Sequence, residues 1–200
     1  MRRIIASFIA LFCIVGVAYA AQSPLVMLEK TSEQMLSSLT KNRAKIKSNP
    51  KYVETLARQI LLPHVDTATM SRLALGRDGW NKATPAQRKE FSEQFVTMMI
   101  RTYSAAMNAY TDEKIKFYPI RGGVGDRKRV QVKSIIIQSG GPSIPVNYRL
   151  LLRGNNWKVY DMTVDGVSMV QSFKSQFANE ISQGGINGLL AAMKKHNASS

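Results

Sequence analysis

Between Lys114 and Val164 apolar and polar residues alternate with a period of two, whereas on either side of that block apolar residues recur every three or four positions. The alternation predicts four strands: Ile115 with Phe117; Val130, Val132, Ser134 and Ile136; Val146 to Leu152; and Trp157 to Val164. Their connections are short and turn-rich, at Gly122-Gly123-Val124-Gly125-Asp126, Ser139-Gly140-Gly141-Pro142 and Gly154-Asn155-Asn156, which favours an antiparallel meander. Val146, Tyr148, Leu150 and Leu152 share one face, while Lys116, Arg129, Lys133 and Arg149 alternate outward, so one face is predicted wet and one covered. The last strand does not declare its orientation. Trp157, Val159 and Asp161 fall on one parity and Tyr160, Met162 and Val164 on the other, so Asp161 is expected to be partly buried beside a tyrosine or arginine.

The flanking segments carry helical spacing. Ser23-Pro24 opens a helix expected to reach about Lys47, with Leu25, Leu28, Ser32, Met35, Leu36 and Leu39 on one side. Asn49-Pro50 breaks it, and a second amphipathic segment from Lys51 to Leu62 ends at Pro63. A short helix follows to Leu75, ended by Gly76, with Arg77-Asp78-Gly79-Trp80 as a turn. Thr84-Pro85 starts a long helix to about Tyr110 with a broad stripe that includes Phe91, Phe95, Met98, Met99, Tyr103 and Ala106. Such a stripe is ordinary core in most proteins, although methionine also adapts to variable apolar guests. Beyond Asp165-Gly166 the last strand is expected to pass into a helix carrying Val167, Val170, Phe173 and Phe177. Gly184-Gly185 then leads to a short helix, Ile186 to Lys195, and a polar tail. The whole predicts an α+β domain over residues 21–200: a four-stranded antiparallel meander covered on one face by several helices.

The amino terminus reads differently. Arg2 and Arg3 precede an apolar run from Ile4 to Ala18, and Ala18-Tyr19-Ala20 has the small-x-small form of a signal-peptidase site, so residues 1–20 are expected to be a cleaved leader. An uncleaved anchor is the alternative, since the run lies near the bottom of the length that spans a bilayer. The single cysteine, Cys13, lies inside this leader, which leaves the exported domain without a disulfide, a thiol nucleophile or a zinc thiolate site. The formal net charge of +15 falls to about +13 once Arg2 and Arg3 leave, a balance that favours acidic partners or anionic lipid surfaces; export argues against nucleic acid.

Catalytic chemistry finds little support. His64-Val65-Asp66 offers a base beside a carboxylate, yet adjacent residues point apart, and Asp66 before Thr67-Ala68-Thr69 reads better as a helix cap. Gly166-Val167-Ser168-Met169-Val170 lacks the second glycine of a nucleophile elbow, and Ser168 is better placed as a helix-entry residue. Asp161 and Asp165, four residues apart on a strand, would stand about 13 Å from one another, too far for a two-carboxylate glycosidase. The two histidines lie far apart and the acids are scattered, so neither a metal site nor another cofactor is expected.

Two segments resemble one family. Leu75-Gly76-Arg77 with Trp80, followed by Thr84-Pro85-x-Gln87-Arg88 and Phe91, is similar to the central motif of the MlaC, or toluene-tolerance, proteins. Trp157-Lys158-Val159-Tyr160-Asp161 with Val164-Asp165-Gly166-Val167-Ser168 is similar to their carboxyl-terminal motif. Gln171-Ser172-Phe173-Lys174 departs from the Asn-Tyr-Arg-like residues of that family. The resemblance implies a non-enzymatic periplasmic phospholipid carrier, monomeric, with lipid as cargo. It would shuttle between an outer-membrane lipoprotein complex (MlaA-like) and an inner-membrane MCE-domain transporter (MlaD-like), maintaining outer-membrane lipid asymmetry. On that basis the fold is expected to enclose an apolar pocket, with the acyl chains between sheet and helices against Phe95, Met99, Tyr103, Val132, Tyr148, Leu150 and Val167 and the head group near solvent. The rival expectation is a periplasmic adaptor with a dry core that binds protein partners through its basic surface, and a remoter one is an esterase.

Overall fold

The structure is a computed structural model that describes residues 22–110 and 112–199. The expected leader, residues 1–20, lies outside the described residues. Helix α1 (Pro24–Lys41) begins with proline at its first turn, where the missing N–H costs nothing, and buries Met27, Leu28, Met35 and Leu39 along one side. It stops earlier than periodicity suggests. Asn42 leaves the helical region (φ −103, ψ 15) while its side chain donates to the Ser38 carbonyl at 2.8 Å, and a separate short helix α2 (Arg43–Ser48) follows. Helix α3 (Tyr52–Leu56) runs into a π-helical turn (Ala57–Leu61) and a 3-10 turn (Leu62–His64). The loosened turn precedes Pro63, which supplies no N–H for the helical ladder.

Helix α4 (Thr67–Lys82) starts at an Asp66 cap, whose carboxylate accepts from the Thr69 N–H at 2.9 Å. Gly76 breaks it rather than ending it. With φ 75 and ψ 164 it kinks the segment, and the stretch through Trp80, expected as a turn, resumes as helix. Gly79 is closely packed instead: a Cβ there would stand 3.1 Å from the Leu75 side chain and 3.4 Å from Ile181, so those side chains would have to give by a few tenths of an ångström. Helix α5 (Pro85–Asn108) opens on a full capping box, with the Gln87 N–H donating to the Thr84 hydroxyl at 3.2 Å and the Thr84 N–H to the Gln87 side chain at 2.8 Å.

The sheet has five strands in the order β1-β2-β3-β4-β5, all antiparallel, one more than the alternation predicted. They are β1 (Lys114–Phe117), β2 (Arg129–Ile137), β3 (Ile144–Arg153), β4 (Asn156–Val164) and β5 (Val167–Ser168). The fifth strand arises because Asp165 (φ 48) and Gly166 (φ 81) form a two-residue turn with positive φ at both positions, the conformation that folds a strand back on itself. Val167 and Ser168 therefore pair with Val164 and Thr163 before helix α6 (Met169–Ser199) begins. Gly185 (φ 63, ψ −166) interrupts α6, and helix continues beyond it to Ser199, so the carboxyl end is ordered further than its polar composition suggests. Asn197 donates there to the Gln94 carbonyl at 3.0 Å.

A bulge settles the orientation of β4. Leu150 pairs with Val159 but Arg149 pairs with Asp161, so Tyr160 is an extra residue on β4 and the side-chain parity switches across it. Trp157, Val159, Met162 and Val164 all reach the face shared by Val146, Tyr148, Leu150 and Leu152, and Asp161 turns to the opposite face.

Candidate functional site

The apolar residues divide into a sheet cluster and a helical cluster. On the sheet, Val130, Val132, Leu150, Trp157 and Val159 are covered by Met27 and Leu28 of α1. Val132 and Leu150 are fully buried, and Tyr148 lies partly buried beside them with its ring 5.9 Å from Phe117. Burial pushes the Tyr148 phenol above its ordinary value, against the lowering effect of a hydrogen bond with Ser134. In the helical layer Phe91 and Phe95 of α5 interlock with Phe173 and Phe177 of α6, with ring centroids 5.1–5.7 Å apart in stacked and edge-on pairs. Met98, Met99, Leu189 and Met193 belong to the same cluster, with Met70 and Leu75 of α4. Tyr103 packs on it from α5, its phenol also pushed up by burial, and Met162 packs on it from β4.

The residues expected to line one pocket are thus placed in two groups. Phe95, Met99 and Tyr103 lie with the helices, and Val132, Tyr148 and Leu150 with the sheet. Val167 stands apart on β5, 61% exposed. Sequence reasoning passed over Leu189, Leu190 and Met193 as core, although with Ile186 they keep three- and four-residue spacing. Two clefts flank the clusters. One of about 370 Å³ lies where Ser23 and Pro24 meet Leu152, Trp157 and the Val124–Lys128 loop. The other, about 410 Å³, lies between α5 and α6, with Met98, Phe177 and Met193 inside and Glu180 and His196 around it.

Polar joints along β4 fasten the two layers. The Asp66 N–H donates to the Val159 carbonyl at 2.8 Å, Arg153 donates to the Asp66 carboxylate at 2.7 Å, and Lys158 donates to the Pro63 carbonyl. Burial raises the Asp66 pKa, but the hydrogen bonds from Thr69 and Arg153 outweigh it and hold the carboxyl below its ordinary value. That carboxylate is committed to capping α4 and to Arg153. Burial, then the charge of Lys158, keeps the His64 imidazole below its ordinary value.

Asp161 is the second joint. It is 1% exposed; one carboxylate oxygen accepts from the Met162 N–H at 2.9 Å and the Val170 N–H at 3.2 Å, and the Ser168 hydroxyl donates to the other at 2.9 Å. Arg149 stands 3.4 Å away with its guanidinium over the Tyr160 ring. Ser168 in turn accepts from the Gln171 N–H at 3.2 Å, so a hydroxyl and a buried carboxylate together cap α6. A comparable corner joins α4 to α5, where Arg88 donates to the Trp80 carbonyl at 2.8 Å and lies over the indole, while Gln87 donates to Asn187 of α6. Among the described residues no three His, Cys, Asp or Glu side chains gather where they would hold a metal ion.

Residues 29–195 match the MlaC protein family. The chain belongs to the MlaC family. It is 30% identical over 188 residues to the intermembrane phospholipid transport system binding protein MlaC of Haemophilus influenzae, a match covering 92% of this chain and 86% of that one. It is also 30% identical over 185 residues to the toluene tolerance protein ttg2D of Pseudomonas putida, covering 92% and 84%. A solved structure of a phospholipid-binding protein from Ralstonia solanacearum, in complex with a phospholipid, superposes with a TM-score of 0.82 at 27% identity, over 89% of this chain and 98% of the other. The family resemblance drawn from the two sequence motifs is borne out, and those motifs in this MlaC-family chain are the α4–α5 corner and the Asp161 joint. Among the described residues no helix is long and apolar enough to cross a membrane.

Proposed function

We propose that this chain is a soluble periplasmic phospholipid carrier, exported by a cleaved leader, that shields acyl chains between its sheet and its helices. It would pass lipid between outer- and inner-membrane complexes, without a catalytic step. The observation that carries this is the likeness, over nearly the whole chain, to a structure holding a phospholipid. Energetics agrees: each exposed methylene costs about 0.8 kcal/mol, so two long acyl chains represent on the order of 20 kcal/mol that a carrier must shield. An open groove would leave about half of that exposed, and extraction from a bilayer would be negligible.

The proposed path for the chains lies between the two clusters, with Val132, Tyr148 and Leu150 on one side and Met99 and Tyr103 on the other. Phe95 joins only if the phenylalanine quartet loosens, and exposed Val167 joins at the rim. Native mass spectrometry of gently purified mature protein should show a co-purified phospholipid; protein that arrives empty and never takes up lipid from vesicles would refute the carrier role. The interlocked quartet favours a dry core for the helical layer, as an adaptor would have. Leu150→Trp separates the readings: in a carrier the apolar surfaces part to take the larger ring, so lipid uptake is lost while the chain stays folded, whereas an adaptor's core that cannot part loses about 1–3 kcal/mol by overpacking.

A further inference from the structure

The helices cover one face of the sheet and close over part of the other at β4, where Leu151 is 5% and Asp161 1% exposed, but from β1 to Arg149 of β3 the register leaves the second face open and fixes what it presents. Lys114 pairs with Ile137 and Lys116 with Ile135, so these lysines share their face with Lys133 and Arg129 of β2. Arg149 extends the same face onto β3, paired with Gln131. All five cations are exposed, and Asp161, buried at 1% exposure beside Arg149, is the single acid in the five strands. Among the described residues no acidic side chain pairs with Lys116, Arg129 or Lys133. From Arg129 to Ile137 the strip runs about 26 Å, and it is about 10 Å wide across three strands.

Charge alone would suit many acidic partners, but the same face carries exposed apolar residues. Ile137 is 42% exposed and Tyr118 41% exposed. Tyr118 continues beyond β1 with its N–H donating to the Lys133 carbonyl at 2.9 Å and the Lys116 ammonium 5.8 Å over its ring. A tyrosine and an isoleucine among uncompensated lysines on one rigid face form the combination that settles at a lipid–water interface, ring and branched chain at head-group level and cations against anionic phosphates.

We infer that the outer face of the sheet docks this protein directly on an anionic lipid surface, through Lys116, Arg129 and Lys133 with Tyr118 and Ile137 as shallow anchors. Docking stands apart from the acyl-chain path and needs no opening of the clusters. Each cation near an anionic bilayer contributes about five-fold in affinity, and the attraction decays within about 8 Å at physiological salt and about 3 Å at 1 M.

The test is co-sedimentation of the mature chain with vesicles of phosphatidylcholine, pure or with about one third phosphatidylglycerol. Binding is expected only to the anionic vesicles and is lost in 1 M salt. Lys116→Gln/Lys133→Gln should weaken it about 30-fold, Tyr118→Ser should weaken it further, and Lys82→Gln/Lys89→Gln on the helical layer should leave it unchanged. Equal binding to both vesicles, no binding to either, or equal loss in the helical-layer pair would overturn the inference. Phospholipid bound by the same variants in native mass spectrometry reports the carrier role separately, and the salt dependence of the unsubstituted protein decides the matter if a variant fails to fold.

Discussion

Replacing Asp161 by alanine should be among the most damaging single changes in the protein, for reasons that can be counted. The carboxylate is 1% exposed and takes the N–H groups of Met162 and Val170 and the hydroxyl of Ser168. Alanine strands both N–H groups where water has little access, at about 1–3 kcal/mol each. It also removes a negative charge from the first turn of α6, worth about 0.3–1 kcal/mol. The sum is about 2–7 kcal/mol, a large share of the roughly 5–15 kcal/mol that holds a domain together. Arg149, its partner at 3.4 Å with a side chain 49% exposed, should contribute less than about 1 kcal/mol. Urea unfolding of Asp161→Ala, Asp161→Asn and Arg149→Ala decides the point. Asp161→Ala should lower the midpoint by about 2 M, Asp161→Asn by an intermediate amount because one oxygen acceptor survives, and Arg149→Ala barely. Equal losses for Asp161→Ala and Arg149→Ala would show that the ion pair and not the cap is what matters, and an Asp161→Ala protein within about 1 kcal/mol of the parent would refute the reasoning.

Two further outcomes follow from backbone and charge. Gly185 sits at φ 63, ψ −166, a region open essentially to glycine, so Gly185→Ala should cost about 1–3 kcal/mol in urea unfolding; a neutral result would mean the two halves of α6 join differently. Asp66 holds its proton less tightly folded than unfolded, so its contribution is present above its ordinary pKa of 3.8 and is lost as pH falls through the lower, folded value. Asp66→Asn should therefore weaken the protein at pH 7 and flatten the fall in stability as pH drops below the ordinary value of 3.8, and an unchanged acid limb would count against the cap.

Where local chemistry is decisive the sequence is readable. Thr84-Pro85 with Gln87 announces the start of α5, and Asp66 before Thr69 announces a cap better than a catalytic dyad. Asp165-Gly166 is the strongest short hairpin signal in the chain, yet a two-residue return strand carries too few positions for alternation to reveal it. The β4 bulge is invisible to periodicity, because apolar residues on both parities look like ambiguity until Tyr160 is removed from the count. For the candidate site, periodicity identified the covered sheet face and the buried stripe of α5. It could not show that these faces belong to different clusters, because it gives the direction of a side chain and not its partner.

That division bears on how a carrier interior opens. Between them the family motifs supply polar joints: Lys158 and Asp161 on β4, and the Trp80–Arg88 corner between helices. Hydrogen bonds at 2.8–3.2 Å hold their geometry through small displacements only, so these joints are expected to stay fixed while apolar surfaces, which lack directional bonds, part and re-form. Parting α1 from the sheet would expose side chains such as Met27, Leu28, Val132 and Leu150, each costing about 1.5–3 kcal/mol, so an emptied carrier should close on itself. On the proposed path, acyl chains entering that gap would bury this surface again along with their own, so opening to take lipid would need no separate source of energy. On this view the motifs are hinges that keep the layers in register, and the surfaces touching lipid are free to differ wherever apolar character and volume are kept.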